Sequence, residues 1–125
     1  MDWRSITLRS SEQYKLQKRA YTDAQGFRRY EGKYMVALGS YYAQYIGQEF
    51  RITLSSGVVI DAVVGDFKAD EDTDRTHRYC KDGVYNVVEF IIDRRVMPLW
   101  VRELGDVSVM GLQGEIVKIE REVEQ

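Results

Sequence analysis

The sequence predicts a mainly β domain: a small barrel of five or six short strands, with an N-terminal arm and one short helix. Three observations carry this. From residue 34 onward apolar residues recur with a period of two or in short runs, as half-buried and buried strands do. Glycines and Ser-Gly or Gly-Asp steps punctuate these runs at short intervals. Only residues 97–104 read as helical there, beginning near the single proline, Pro98, and stopping at Gly105. Many short strands with one helix favour a small barrel over a doubly wound sheet.

Each element follows from its residues. Residues 1–33 are polar with scattered apolar anchors at Trp3, Ile6, Leu8, Tyr14 and Leu16, and read as an arm packed on a domain of residues 34–125. Ser10 with Gln13 has the spacing of a capping box and predicts a short helix there. Residues 22–26 predict a turn. Residues 34–38 form an apolar run that ends at Gly39. Residues 49–54 alternate polar and apolar, and Ser55-Ser56-Gly57 predicts a hairpin turn into the β-branched run 58–64. The Gly65-Asp66 step predicts the end of that strand. Residues 86–93 and 114–121 predict the last two strands. In the former, alternation sets Val87, Glu89 and Ile91 on one side and Val88, Phe90 and Ile92 on the other.

At 125 residues the chain has the size of one domain, and no linker-like stretch divides it. With 18 basic and 20 acidic residues its net charge of -2 offers no field for DNA or a membrane surface, so neither is an expected partner. No apolar run approaches the ~20 residues that cross a bilayer. No basic-then-apolar leader opens the sequence. That expectation fits a cytoplasmic protein, a phage product released by lysis, or a piece of a longer exported chain with flanking domains. One cysteine, Cys80, builds neither an internal disulfide nor a zinc site, and is read as a passive thiol rather than a nucleophile paired with His77.

Chemistry concentrates after residue 64. Asp66, Asp70, Asp72 and Asp74 fall within nine residues, a density tolerated only with solvation, hydrogen bonds, a cation or a retained proton. Asp70-x-Asp72-x-Asp74 begins like an EF-hand loop. Arg75 stands where that loop needs glycine and Lys81 where it needs a bidentate glutamate, so no metal site is expected. Glu71 and Asp72 suit a solvated loop balanced by Lys68, Arg75, Arg78 and Lys81. A looser cation-stabilised scaffold is a further reading of the same acids. Glu89, among apolar neighbours, either faces water or lines a groove, where desolvation would raise its pKa and suit it to proton transfer. Tyr41, Tyr42 and Tyr45 follow Gly39-Ser40 and have the chemistry of a sugar-stacking wall or of plain rim packing. Nothing like a nucleophile elbow supports a triad of Ser40, His77 and an aspartate.

Six pieces occur in a familiar order: residues 35–40, 46–52, 64–70, 87–91, 105–108 and 114–117. Their order resembles the three-aspartate domains, double-psi β-barrels of bacterial peptidoglycan lytic transglycosylases, related more distantly to expansins. The chain looks closer still to small Firmicutes and phage domains that share its Ala-Leu-Gly-Ser and Lys-Ala-Asp-x-Asp-Thr-Asp strings. The resemblance covers residues 34–121. It implies a six-stranded double-psi-like barrel, a peptidoglycan-directed role, and a cell-wall glycan as partner, with no cofactor. It places the family's middle aspartate on Asp66 and its last acid on Glu89. The first aspartate falls on Gly39, which has no side chain, so Asp70 or Asp74 would have to substitute. The implied enzyme is a lytic transglycosylase with Asp66, Glu89 and Asp70 as its acids and Tyr41, Tyr42 and Asp74 as substrate-binding residues. The alternative is a non-catalytic cell-surface or phage module of the same fold.

Overall fold

The computed structural model describes residues 1–68, 88–97 and 116–121. It is mainly β. Among the described residues one α-helix, α1 (Glu12–Arg19), precedes strands β1 (Tyr21–Thr22), β2 (Arg28–Tyr30), β3 (Lys33–Leu38), β4 (Glu49–Leu54), β5 (Val59–Phe67), β6 (Val88–Phe90) and β7 (Ile116–Arg121). The strands form one mixed sheet in the order β1-β2-β3-β5-β4-β7. β3 and β5 run parallel and every other pair is antiparallel. β2 and β6 share one edge of β3: β2 pairs its first residues and β6 its last three. The expected barrel does not close among the described residues, because the path ends at β1 and β7 without joining them.

Turn chemistry explains the hairpins. Glu31 and Gly32 both have positive φ, 51° and 81°, the geometry of a two-residue turn whose twist matches that of the strands it joins. Ser55–Gly57 makes the expected second hairpin, closed by the Leu54 amide donating to Val58 O at 2.9 Å. The N-terminal helix begins one residue later than the capping box predicts. Ser11, not Ser10, is the cap, and its Oγ accepts from the Tyr14 amide at 3.1 Å. Glu12 in the first turn and Lys18 and Arg19 in the last complement the helix dipole. The expected helix at residues 97–104 lies outside the described residues beyond Met97.

The sheet buries both faces near β3 and β5. On one face Val36, Leu38, Phe50, Ile52, Leu54, Ile60, Ala62 and Val64 form the main core, with Val88 and Phe90 packed against it. Burying one such aliphatic side chain contributes roughly 1.5–3 kcal/mol. On the other face Met35, Val63 and Ile91 lie under Met1, Trp3, Leu16, Ala20 and Tyr30. The alternation read for β6 therefore holds at Val88, Phe90 and Ile91. Residues 1–33 supply α1 together with two strands of the sheet.

A polar network ties the start of the chain to residues 91–95. Buried Arg28 donates from Nε to Gln17 Oε1 at 2.9 Å, from Nη2 to Gln17 O at 2.8 Å and from Nη1 to Thr22 Oγ1 at 3.0 Å. Its guanidinium carbon lies 4.2 Å from the centre of the Trp3 ring. The Trp3 indole donates to Asp93 Oδ2 at 3.0 Å. Arg95 grips the same carboxylate through Nε and Nη2 at 3.0 and 2.8 Å.

Candidate functional site

The strand that carries Asp66 does not stop at Gly65, as the Gly-Asp step predicts. It continues to Phe67, because Gly65 is absorbed as a bulge. Val64 pairs with Val36, and the next pair is Asp66 with Ala37, so β5 carries one residue more than β3 at this point. A side-chain position at Gly65 would point at Ile91, Met35 and Gln17, on the helix-covered face. Without the extra residue Asp66 would alternate into the main core. With it, Asp66 joins the helix-covered face.

Ala37 also pairs with Glu89 on its other side. Residues in register across neighbouring strands share a face. Asp66 and Glu89 thus flank Ala37 on one rung, two strand spacings or about 10 Å apart along the sheet. Asp66 Oδ1 accepts from the next residue's amide, that of Phe67, at 2.9 Å, and more loosely from Gln13 Nε2 of α1, at 3.4 Å. It lines an open groove of about 300 Å³ whose other wall is the segment from Ser5 to Leu8, with Ser11 and Gln13.

Glu89 is held by charge. Lys68 Nζ hydrogen-bonds Oε2, and the α-amino group of Met1 lies 3.1 Å from Oε1. Partial burial pushes the Glu89 pKa up. The Lys68 hydrogen bond and the α-amino group together outweigh that, and the net shift is downward. The expectation that desolvation would raise this pKa is reversed, because the sequence does not show that Lys68 lands beside Glu89. It does so because the Lys68 amide extends the β3–β5 pairing by donating to Leu38 O at 2.8 Å.

Tyr41 and Tyr42 belong to a different place. They sit in the loop after β3, where the Tyr42 and Ala43 amides both donate to Gly39 O at 3.1 Å. Their rings meet edge to face with centres 4.9 Å apart. With Phe50, Ile119 and Arg121 they line an open hollow of about 690 Å³, and Arg121 Nη2 donates to Tyr42 O at 3.4 Å. This hollow and the Asp66 groove share no lining residue, so the tyrosines stand apart from the rung that Asp66 and Glu89 share through Ala37. Asp70 and Asp74 lie outside the described residues, as do His77, Cys80 and the residues of the EF-hand-like string. Among the described residues no three His, Cys, Asp or Glu side chains gather as metal ligands. No described helix is long and apolar enough to cross a membrane.

Sequence reasoning read Gln13 only as a capping residue and Lys68 only as a balancing charge, and missed Arg121. Their roles come from packing across the sheet, which no local pattern encodes. Comparison with family models, curated proteins and solved structures finds no match to this chain.

Proposed function

We propose that this chain is a cell-wall glycan-binding module that holds its polymer without cutting it. One observation carries the reading: Tyr41, Tyr42 and Arg121 line a hollow large enough for a sugar unit. Aromatic faces stack on the C–H faces of sugar rings, and a guanidinium donates to hydroxyl or carboxylate oxygens. The state of Glu89 agrees with binding rather than cleavage. A general acid must carry its proton near the working pH, and Glu89 is shifted the other way.

Co-sedimentation with purified sacculi tests the proposal, with mass spectrometry of the supernatant. The expected result is retention on the sacculi, loss of retention in Tyr41→Ala, and no anhydro-muropeptides. Failure of the wild type to sediment overturns it.

A second reading, a lytic transglycosylase, draws on Asp66. This carboxyl opens onto a groove and has no cationic partner among the described residues. One carboxyl can protonate the glycosidic oxygen and then, as a base, help the sugar's 6-hydroxyl attack the anomeric carbon. Anhydro products from the wild type that vanish in Asp66→Asn would select this reading over the first.

A further inference from the structure

A third hollow lies away from both sites. The backbone bridge between Asp2 and Ile92 is parallel, so the residues that follow Asp2 and Ile92 come side by side. Arg4, Arg94 and Arg95, with Asp2, line an open hollow of about 310 Å³ there. Three cations against one carboxylate is a local excess of positive charge in a chain whose net charge is -2. Behind the lining, Asp93 neutralises Arg95 and buried Arg28 adds a further positive charge, so the excess remains.

The two carboxylates nearby are already committed. Asp2 Oδ2 accepts from Arg4 Nε at 3.1 Å and lies 3.0 Å from Arg4 Nη2. Asp93 is buried and accepts from Arg95 through two guanidinium nitrogens and the backbone amide. These pairs hold Arg4 and Arg95 in place, which lowers the entropy lost when a ligand binds. Arg94 differs from both. It is exposed, and among the described residues its guanidinium has no carboxylate partner; only its backbone amide approaches Asp2 Oδ1, at 3.5 Å. Guanidinium forks match the oxygens of a phosphate group. A tetrahedral oxyanion presents oxygens toward several forks at once, whereas a carboxylate presents two in one plane.

We infer that the hollow between Arg4, Arg94 and Arg95 binds a phosphate group, either inorganic phosphate or a small phosphate monoester. Arg94 supplies the uncommitted charge, and Arg4 and Arg95 supply oriented donors. The site shares no residue with the tyrosine hollow or the Asp66 groove, so it stands or falls apart from the glycan reading.

The Trp3 indole N–H is a built-in reporter, since it donates to the carboxylate that grips Arg95. Its NMR resonance, assigned with Trp3→Phe, is followed during titration with inorganic phosphate, with glycerol phosphate, and with sodium chloride at matched ionic strength. Saturable shifts are expected with phosphate and not with chloride. Arg94→Ala and Arg94→Gln should each weaken binding at least tenfold, with the free-state spectrum unchanged elsewhere. Arg51→Ala, on β4, should bind as the wild type does. Tighter binding of glycerol phosphate identifies an ester as the ligand, and equal or weaker binding identifies the free ion. Chloride shifts equal to those with phosphate overturn the inference, as does a phosphate titration that neither Arg94 variant alters.

Discussion

Gly65 lies so close under Ile91 that a β-carbon added to it would stand 2.7 Å from Ile91 Cδ1, with Met35 Cε at 3.1 Å. Both contacts are with side-chain tips, yet Ile91 and Met35 are fully buried and have little room to move. Gly65→Ala is expected to destabilise the fold by about 1 kcal/mol and Gly65→Val by about 2–3 kcal/mol, the range for added core methyls. Urea unfolding checks this, with the midpoint falling and the slope unchanged.

Asp93 sets an acid limit. Its hydrogen bonds from Arg95, first of all, and from Trp3 outweigh its burial and hold its pKa far below the ordinary value of 3.8. A carboxylate whose pKa is depressed in the folded state adds stability that is complete above the unfolded-state pKa and is lost as pH falls toward the folded one. Stability should therefore drop as pH falls below about 4. Asp93→Asn should cost about 2–3 kcal/mol at neutral pH and flatten the acid slope, because the buried carboxylate that accepts from Arg95 and Trp3 becomes a neutral amide and its charge-assisted hydrogen bonds are lost. Melting temperature against pH for both proteins decides it.

Lys68→Met should release Glu89. With Lys68 gone, the burial that favours the neutral carboxyl is no longer outweighed by that hydrogen bond, and the Glu89 pKa should rise. A carbon-13 titration of the Glu89 carboxyl measures it. The stability change should stay within about 1 kcal/mol, because both side chains are about one-third exposed and solvent screens the pair.

Ser11→Ala should loosen the helix that covers Met35 and Ile91. Losing the Oγ acceptor for the Tyr14 amide is expected to cost about 1 kcal/mol. Amide exchange at Tyr14 should speed up, while exchange in β4 should change only as global stability does.

The sequence showed the strands plainly where side chains alternate against one core. Glu49–Leu54 is strand over its full predicted length, and Val88, Phe90 and Ile91 fall on the predicted sides. It misled at Gly65, because a glycine that ends a strand and a glycine that bulges one have the same local signature. Glu31-Gly32 passed unread as a turn, since a glutamate at positive φ is uncommon. The rung joining Asp66 and Glu89 was hidden for a different reason. It depends on the register of β3 with two strands that lie far from it in the chain, and on one extra residue in one of them.

Ile92 is bonded from two directions by backbone made much earlier. Its amide donates to Met1 O and its carbonyl accepts from the Trp3 amide, while Phe27 bridges it on the other flank. During translation the opening segment emerges long before the residue it must clasp. The helix and the first hairpin wait with a raw apolar underside until the ribosome has delivered residues 88–93. A nascent chain halted short of that point lacks Ile91, which completes the cluster with Met35 and Val63, so assembly is completed late, from a distant part of the message, rather than growing outward from its beginning.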